Sequence, residues 1–165
     1  MSPPRQRARC PREAVAAVVD PEIRVITIEE LGILRDVHKD PATGRVTVTI
    51  TPTYTGCPAM DVIRADIRAA LAAAGHPDSE IVTVFAPPWT TDWISETGAA
   101  KLAAAGIAPP EPVRRAGPVP VALTVRCPRC GSPETDQLSR FGSTACKALW
   151  RCWSCREPFE QIKAL

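Results

Sequence analysis

Four cysteines near the C-terminus form two pairs with the spacing of metal ligands. Cys127-Pro-Arg-Cys130 and Cys152-Trp-Ser-Cys155 are both Cys-x-x-Cys motifs, and residues 131–151 separate them. Each motif can wrap two thiolates around one ion, and two motifs close a tetrahedral four-thiolate site of the zinc-ribbon kind. Four protein ligands leave no coordination position for water, so the spacing predicts a structural zinc ion and not a catalytic one.

A further cysteine, Cys57, lies where its thiol could be reactive. It stands in Thr55-Gly56-Cys57-Pro58, between a predicted strand and a predicted helix. With Pro58 at the first helical position, Cys57 is predicted at the N-cap, where backbone N–H groups and the helix dipole favour a thiolate. The residues alone equally allow a small buried cysteine. Cys10 precedes Pro11 in the same way, but it is close to the terminus and we interpret it as unreactive.

Other side chains give weaker chemical signals. Trp89 and Trp93 flank Thr90-Thr91-Asp92 and are interpreted either as core and capping residues or as a partner-binding surface. His38 and His76 are predicted to be solvent-exposed. A nucleophilic enzyme would need a base beside Cys57, and the sequence nominates none, so we do not expect the chain to be catalytic alone.

Composition and charge indicate the cellular compartment and the kinds of partner to expect. Seven cysteines without a recognisable signal peptide predict a reducing cytoplasm, and no apolar stretch suggests a membrane segment. The net charge is +2, and residues 121–165 carry seven basic against four acidic side chains. Zinc bound by four thiolates adds two negative charges, which leaves this region nearly neutral. Nucleic-acid binding is therefore not expected, and the arginines before residue 13 are interpreted as a solvated arm.

Hydrophobic periodicity predicts an α+β domain followed by a small ribbon. The predicted elements are a helix from Pro11, strands over 31–37 and 46–50, a helix over 58–75, a strand over 81–85 and a helix over 92–105. This α-β-β-α-β-α order predicts a small mixed β-sheet with helices packed on it. Ribbon strands are predicted over 121–125, 137–141 and 149–153. The predicted domains are 1–110 and 121–165, joined by a Pro-rich linker over 111–120.

Several motifs resemble known families. Asp20-Pro21-Glu22-Ile23, Thr27 to Ile33, Thr55-Gly56-Cys57-Pro58 and Pro87-Pro88-Trp89 resemble the iron-sulfur cluster assembly domain shared by SufT and the eukaryotic cytosolic iron-sulfur targeting factors. Trp89 to Ile94, Gly106 to Pro110 and Phe141 to Leu149, together with the four-cysteine ribbon, resemble the PaaD (or PaaJ) family. That family contains accessory proteins of the phenylacetyl-CoA epoxidase system in aerobic phenylacetate degradation.

The resemblance implies a maturation role that supplies iron or an iron-sulfur cluster to the oxygenase or reductase component. It maps the motif cysteine onto Cys57 and the acidic signature onto Asp20 and Glu22. One thiolate cannot hold a cluster, so a transient iron species would need a second thiolate from a partner or from a second copy of the chain. Cys146 is interpreted either as a spare structural thiol or as part of a second, labile site. The alternative function is a structural or regulatory docking subunit of the oxygenase complex that does not handle iron.

Overall fold

The computed structural model describes residues 10–110 and 125–163. The chain divides into two compact units, one ending at Pro88 and the other beginning at Trp89. The predicted linker over 111–120 and most of the predicted ribbon strand over 121–125 lie outside the described residues.

The first unit contains a three-stranded sheet and two helices. Its elements are α1 (Pro11–Ala16), β1 (Leu34–Lys39), β2 (Val46–Ile50), α2 (Ala59–Ala73) and β3 (Ser79–Thr83). The sheet order is β1-β2-β3. The hairpin partners β1 and β2 are antiparallel, whereas β2 and β3 are parallel because α2 connects them. The predicted mixed sheet is confirmed.

The core of this unit includes the apolar side chains of β2 and α2. Alternation along β2 buries its apolar side chains completely, and the apolar stripe of α2 is buried in the same way. The side chains with no exposed surface are Val46, Val48, Ile50, Ile63, Ile67 and Leu71. Each contributes about 1.5–3 kcal/mol by leaving water. His76, predicted to be exposed, is only 6% exposed, so that prediction is wrong. His76 follows Gly75, and its backbone N–H donates to the Leu71 carbonyl in the last turn of α2. This hydrogen bond folds the backbone at His76 back against the helix.

The second unit begins with helical segments that the sequence predicted as one helix. A 3₁₀ helix spans Thr91–Trp93 and α3 spans Glu96–Ala104. They are separate because each has its own cap. The Thr90 side chain accepts a hydrogen bond from the Asp92 N–H, and the Ser95 side chain accepts one from the Gly98 N–H.

A four-stranded sheet completes this unit. Its strands are β4 (Ile107–Ala108), β5 (Thr135–Ser139), β6 (Lys147–Cys152) and β7 (Pro158–Ile162), in the order β4-β7-β6-β5. Strands β5, β6 and β7 are antiparallel to their neighbours, and β4 is parallel to β7. β5 and β6 each begin two residues before a predicted strand, whereas β4 and β7 were not predicted.

The pairing of β4 with β7 places α3 and β4 in the same compact unit as the ribbon. Ile107 pairs with Glu160, and Ala108 pairs with Gln161. The predicted division near residue 110 therefore differs from the division at Pro88 that the structure has. Within the described ranges, no helix is long and apolar enough to cross a membrane.

Candidate functional site

The four ribbon cysteines converge on one point. Their sulfur atoms all lie within 4.8 Å of one another. Cys127 Sγ is 3.7 Å from Cys155 Sγ, and Cys130 Sγ is 3.5 Å from Cys152 Sγ. A tetrahedral zinc ion with bonds of about 2.3 Å spaces its sulfur ligands by about 3.8 Å. The four thiols therefore fit zinc without rearrangement of the backbone.

Each cysteine pair sits on a tight backbone loop. In the first loop, the Gly131 N–H donates to the Cys127 carbonyl at 2.8 Å, and Gly131 has a φ of 74°. In the second loop, the equivalent position after the last cysteine is Arg156, with a φ of 65°. A non-glycine residue rarely adopts this left-handed conformation, which costs about 1–2 kcal/mol. The repeated conformation shows that both loops are shaped to aim two sulfurs inward.

Protonation of these thiols depends on their hydrogen bonds and on one another. The backbone N–H of Cys155 is the main cause that lowers the pKa of Cys152, to about 7. For Cys155, the backbone N–H of Glu157 acts to lower the pKa, but burial and the neighbouring thiols outweigh it and raise the pKa to about 12. Four close sulfurs cannot all ionise without a compensating charge. A divalent soft cation supplies that charge and displaces the protons.

The site is enclosed by protein on one side. Cys127 and Cys152 are buried with Ala108, Trp150 and Phe159, whereas Cys130 is exposed. Because the four thiolates fill a tetrahedral shell, the ion here would hold the ribbon together and would have no position for a substrate.

Cys57 occupies the loop between β2 and α2. The N-cap of α2 is Pro58, so the prediction that Cys57 is the N-cap is wrong by one residue. Pro58 has helical torsions but precedes the first regular residue of α2, Ala59, because the chain enters the helix through a tighter turn of the 3₁₀ type. Cys57 is half-buried, and its carbonyl accepts a hydrogen bond from the Met60 N–H at 3.3 Å. Gly56, at a φ of 84°, makes the turn that places Cys57 beside the start of α2.

Asp20 has a clear structural task. Its side chain is buried, and Oδ1 accepts hydrogen bonds from the N–H groups of Glu22 at 2.9 Å and Ile23 at 2.7 Å. These bonds shape the turn that contains the Asp-Pro-Glu signature. Glu22 is half-buried on that turn.

The two tryptophans differ in exposure. Trp89 is only 5% exposed, which favours its interpretation as a core residue over the alternative of a partner surface. Its indole is large and apolar, and burial is its most favourable placement. Trp93 is half-buried at the end of the 3₁₀ helix.

Cys146 is separate from the thiolate cluster. It precedes the first residue of β6, and Cys152 is the last residue of that strand. At about 3.3 Å per residue, the two cysteines are about 20 Å apart along the strand, which excludes a shared ion. Cys146 is buried, and its Sγ lies 3.1 Å from the Thr144 Oγ1.

Sequence reasoning missed a buried ion pair in the ribbon. Lys147 Nζ lies 2.8 Å from Glu160 Oε2, and the lysine side chain is 4% exposed. No sequence signal identifies the pair, because the partners are on different strands and are 13 residues apart in sequence. The left-handed conformation of Arg156 could have been predicted from the sequence. Gly131 follows the first cysteine pair at the equivalent position, and glycine there is typical of a positive φ.

Two families match separate parts of the chain. Residues 12–84 match the family described as iron-sulfur cluster assembly protein. Residues 114–163 match the PaaD zinc beta ribbon domain. The four cysteines that converge in the structure all lie in the second match.

Similar proteins include one of nearly full length. The chain is 43% identical to a protein from Escherichia coli (strain K12) that is named as a component of 1,2-phenylacetyl-CoA epoxidase, over 92% of this chain and 89% of the relative. It is 40% identical to the Fe-S protein maturation auxiliary factor YitW of Bacillus subtilis (strain 168), over 50% of this chain and 79% of that protein. A solved structure of a domain of unknown function, DUF59, from Bacillus anthracis covers 56% of this chain and 87% of its own, with 29% identity and a TM-score of 0.52.

Proposed function

This chain belongs to the PaaD family, in which an iron-sulfur cluster assembly domain precedes a zinc β-ribbon, and we propose that it is a maturation factor for phenylacetyl-CoA epoxidase. In this proposal it assists the delivery of iron or an iron-sulfur cluster to the oxygenase or reductase component. It is an accessory protein and not a catalyst of epoxidation. The described cysteines form no disulfide, which suits the reducing cytoplasm that the sequence predicts.

The position of Cys57 carries the proposal. It is a half-buried thiol beside the start of α2, in the part of the chain that matches the iron-sulfur assembly family. Four of the remaining cysteines converge on the ribbon site, Cys146 is buried in the other unit, and Cys10 precedes the residues that match the assembly family. Among the described cysteines, Cys57 is therefore the one best placed to take up a transferable metal species, because a thiolate is both a nucleophile and a soft ligand.

The proposal requires a second ligand for the transferred species. A single thiolate holds iron too weakly, and clusters are usually bound by four cysteines. The second thiolate would come from the client protein or from a second copy of the chain. Transfer to the client then follows by ligand exchange, in which thiolates of the client replace Cys57 and no net oxidation occurs.

A docking role without iron handling is the second candidate function. It is favoured by the exposed aromatic side chains Phe141 and Trp153 of the ribbon, which are 64% and 53% exposed. In that case the chain would stabilise the epoxidase complex, and Cys57 would be dispensable.

Co-expression distinguishes the two functions. The epoxidase subunits are produced with and without this chain, and each purified subunit is assayed for iron and acid-labile sulfide. A maturation factor raises the metal content of at least one subunit. Unchanged metal content together with lower recovery of the intact complex would favour the docking role.

A further inference from the structure

The loop between β5 and β6 presents an aromatic side chain to solvent. Phe141 is 64% exposed, the largest exposed fraction of any large hydrophobic residue in the described ranges. Lys163 Nζ lies 4.3 Å from the centre of its ring, which is a cation–π contact. Aromatic side chains are enriched among the anchor residues of protein interfaces, and this one is exposed and contacted by a neighbouring cation.

The ion pair between Lys147 and Glu160 contacts the backbone of this loop. Glu160 on β7 accepts a hydrogen bond from Lys147 Nζ through Oε2 and one from the Ser143 N–H through Oε1. The Gly142 N–H also donates to the Lys147 carbonyl at 2.8 Å. A side-chain Cβ at position 142 would lie 2.6 Å from Glu160 Oε1, so the loop packs closely on the carboxylate.

Stability alone does not explain the ion pair. Removing two charges from water has a large cost, and apolar residues of similar size would stabilise a ribbon at least as well. The carboxylate of Glu160 bonds to two different parts of the ribbon. One oxygen accepts from Lys147 at the start of β6, and the other accepts from the backbone N–H of Ser143 in the loop. The geometry of this carboxylate therefore determines where Phe141 projects.

The charges around Phe141 indicate the chemistry of a partner. Glu160 compensates the charge of Lys147, and both side chains are largely removed from solvent. The ammonium of Lys163 lies over the ring, and the residue before Phe141 is the exposed Arg140. An apolar side chain accompanied by positive charges complements an apolar pocket with an acidic rim.

We propose that the loop over residues 140–146 docks Phe141 into an apolar, acid-rimmed pocket on another subunit of the phenylacetyl-CoA epoxidase. This inference rests on the proposed function, because it assumes that the epoxidase subunits are the partners. The loop is a positioning device for docking and has no part in metal chemistry.

Binding of the full chain to the purified epoxidase subunits tests the inference. Phe141→Ala is expected to weaken binding at least about tenfold, as truncation of an interface anchor does. Phe85→Ala is the matched control, since Phe85 is 58% exposed and lies in the first unit. It is expected to bind like the wild type. Both substitutions are at exposed positions, so neither should impair folding.

Charge reversal gives a second measurement. The double variant Arg140→Glu and Lys163→Glu should bind more weakly than the wild type and should lose most of the salt dependence of binding. Glu160→Gln, which keeps an oxygen for the Ser143 N–H, should bind with intermediate affinity.

The results of these experiments test the docking role of the loop separately from the proposed maturation function. Equal binding by Phe141→Ala and the wild type would overturn the loop inference, even where iron delivery still depends on Cys57. Equal loss in Phe85→Ala would also overturn it, because the effect would not be specific to the loop. Weaker binding by Phe141→Ala, with subunit metal content that does not depend on the presence of this chain, would support the loop and contradict maturation. A wild-type chain that binds none of the subunits would contradict both.

Discussion

Ile107 pairs with Glu160 across β4 and β7, which joins the segment after α3 to the ribbon sheet. β7 follows Cys155 and pairs with β6, whose last residue, Cys152, belongs to the four-cysteine cluster. Order at the metal site is thereby coupled to residues that lie well before the ribbon motifs in sequence.

Zinc removal should therefore disorder more than the ribbon matched by its family. We expect chelation to abolish hydrogen-exchange protection in β5, β6 and β7 and also in α3 and β4, because β4 loses its partner. Protection in β2 and α2 should remain. Full retention of protection in α3 after chelation would show that this helix does not depend on the metal.

Zinc binding should weaken as pH falls. With the pKa of Cys155 raised to about 12 and that of Cys152 near 7, the metal-free site retains protons at neutral pH. Zinc must displace these protons, so its apparent affinity increases with pH and decreases in acid. Competition with a chromogenic chelator at several pH values between about 6 and 8 measures this. A constant affinity across that range would mean that the thiols are already ionised.

The two left-handed positions after the cysteine pairs should respond in opposite ways. Gly131→Ala should lower the free energy of unfolding of the zinc-bound unit by about 1 kcal/mol, because alanine is strained at a φ of 74°. A Cβ there meets no atom within 4 Å, so the effect is purely one of backbone conformation. Arg156→Gly relieves the same strain and should be neutral or stabilising. Urea unfolding of the zinc-bound protein compares them, and a destabilised Arg156→Gly protein would reveal side-chain contacts that outweigh the strain.

The parts of the structure that local patterns control could be predicted from the sequence. Alternation over 46–50 identified β2, and the Cys-x-x-Cys spacing identified the four cysteines that converge in the structure, because both signals lie within a few residues. The boundary at Pro88 could not be predicted from the sequence. It depends on β4, which has two residues and no periodicity, and which pairs with a strand more than 50 residues away. The Lys147–Glu160 pair has the same long-range character. The N-cap error at Cys57 arose because Pro58 can occupy either of two adjacent positions at a helix start.

The role of Cys57 in metal delivery is tested most directly by the metal content of the client. Epoxidase subunits are purified from cells that carry this chain as wild type, Cys57→Ser or Cys10→Ser, and iron and acid-labile sulfide are measured in each. Serine preserves the size of the side chain and removes the soft ligand, and Cys10 is an exposed thiol that serves as the control. We predict that Cys57→Ser lowers metal content to the level found without the chain, whereas Cys10→Ser maintains the wild-type level. Wild-type metal content with Cys57→Ser, in the same preparation, would contradict the proposal that this thiol handles iron.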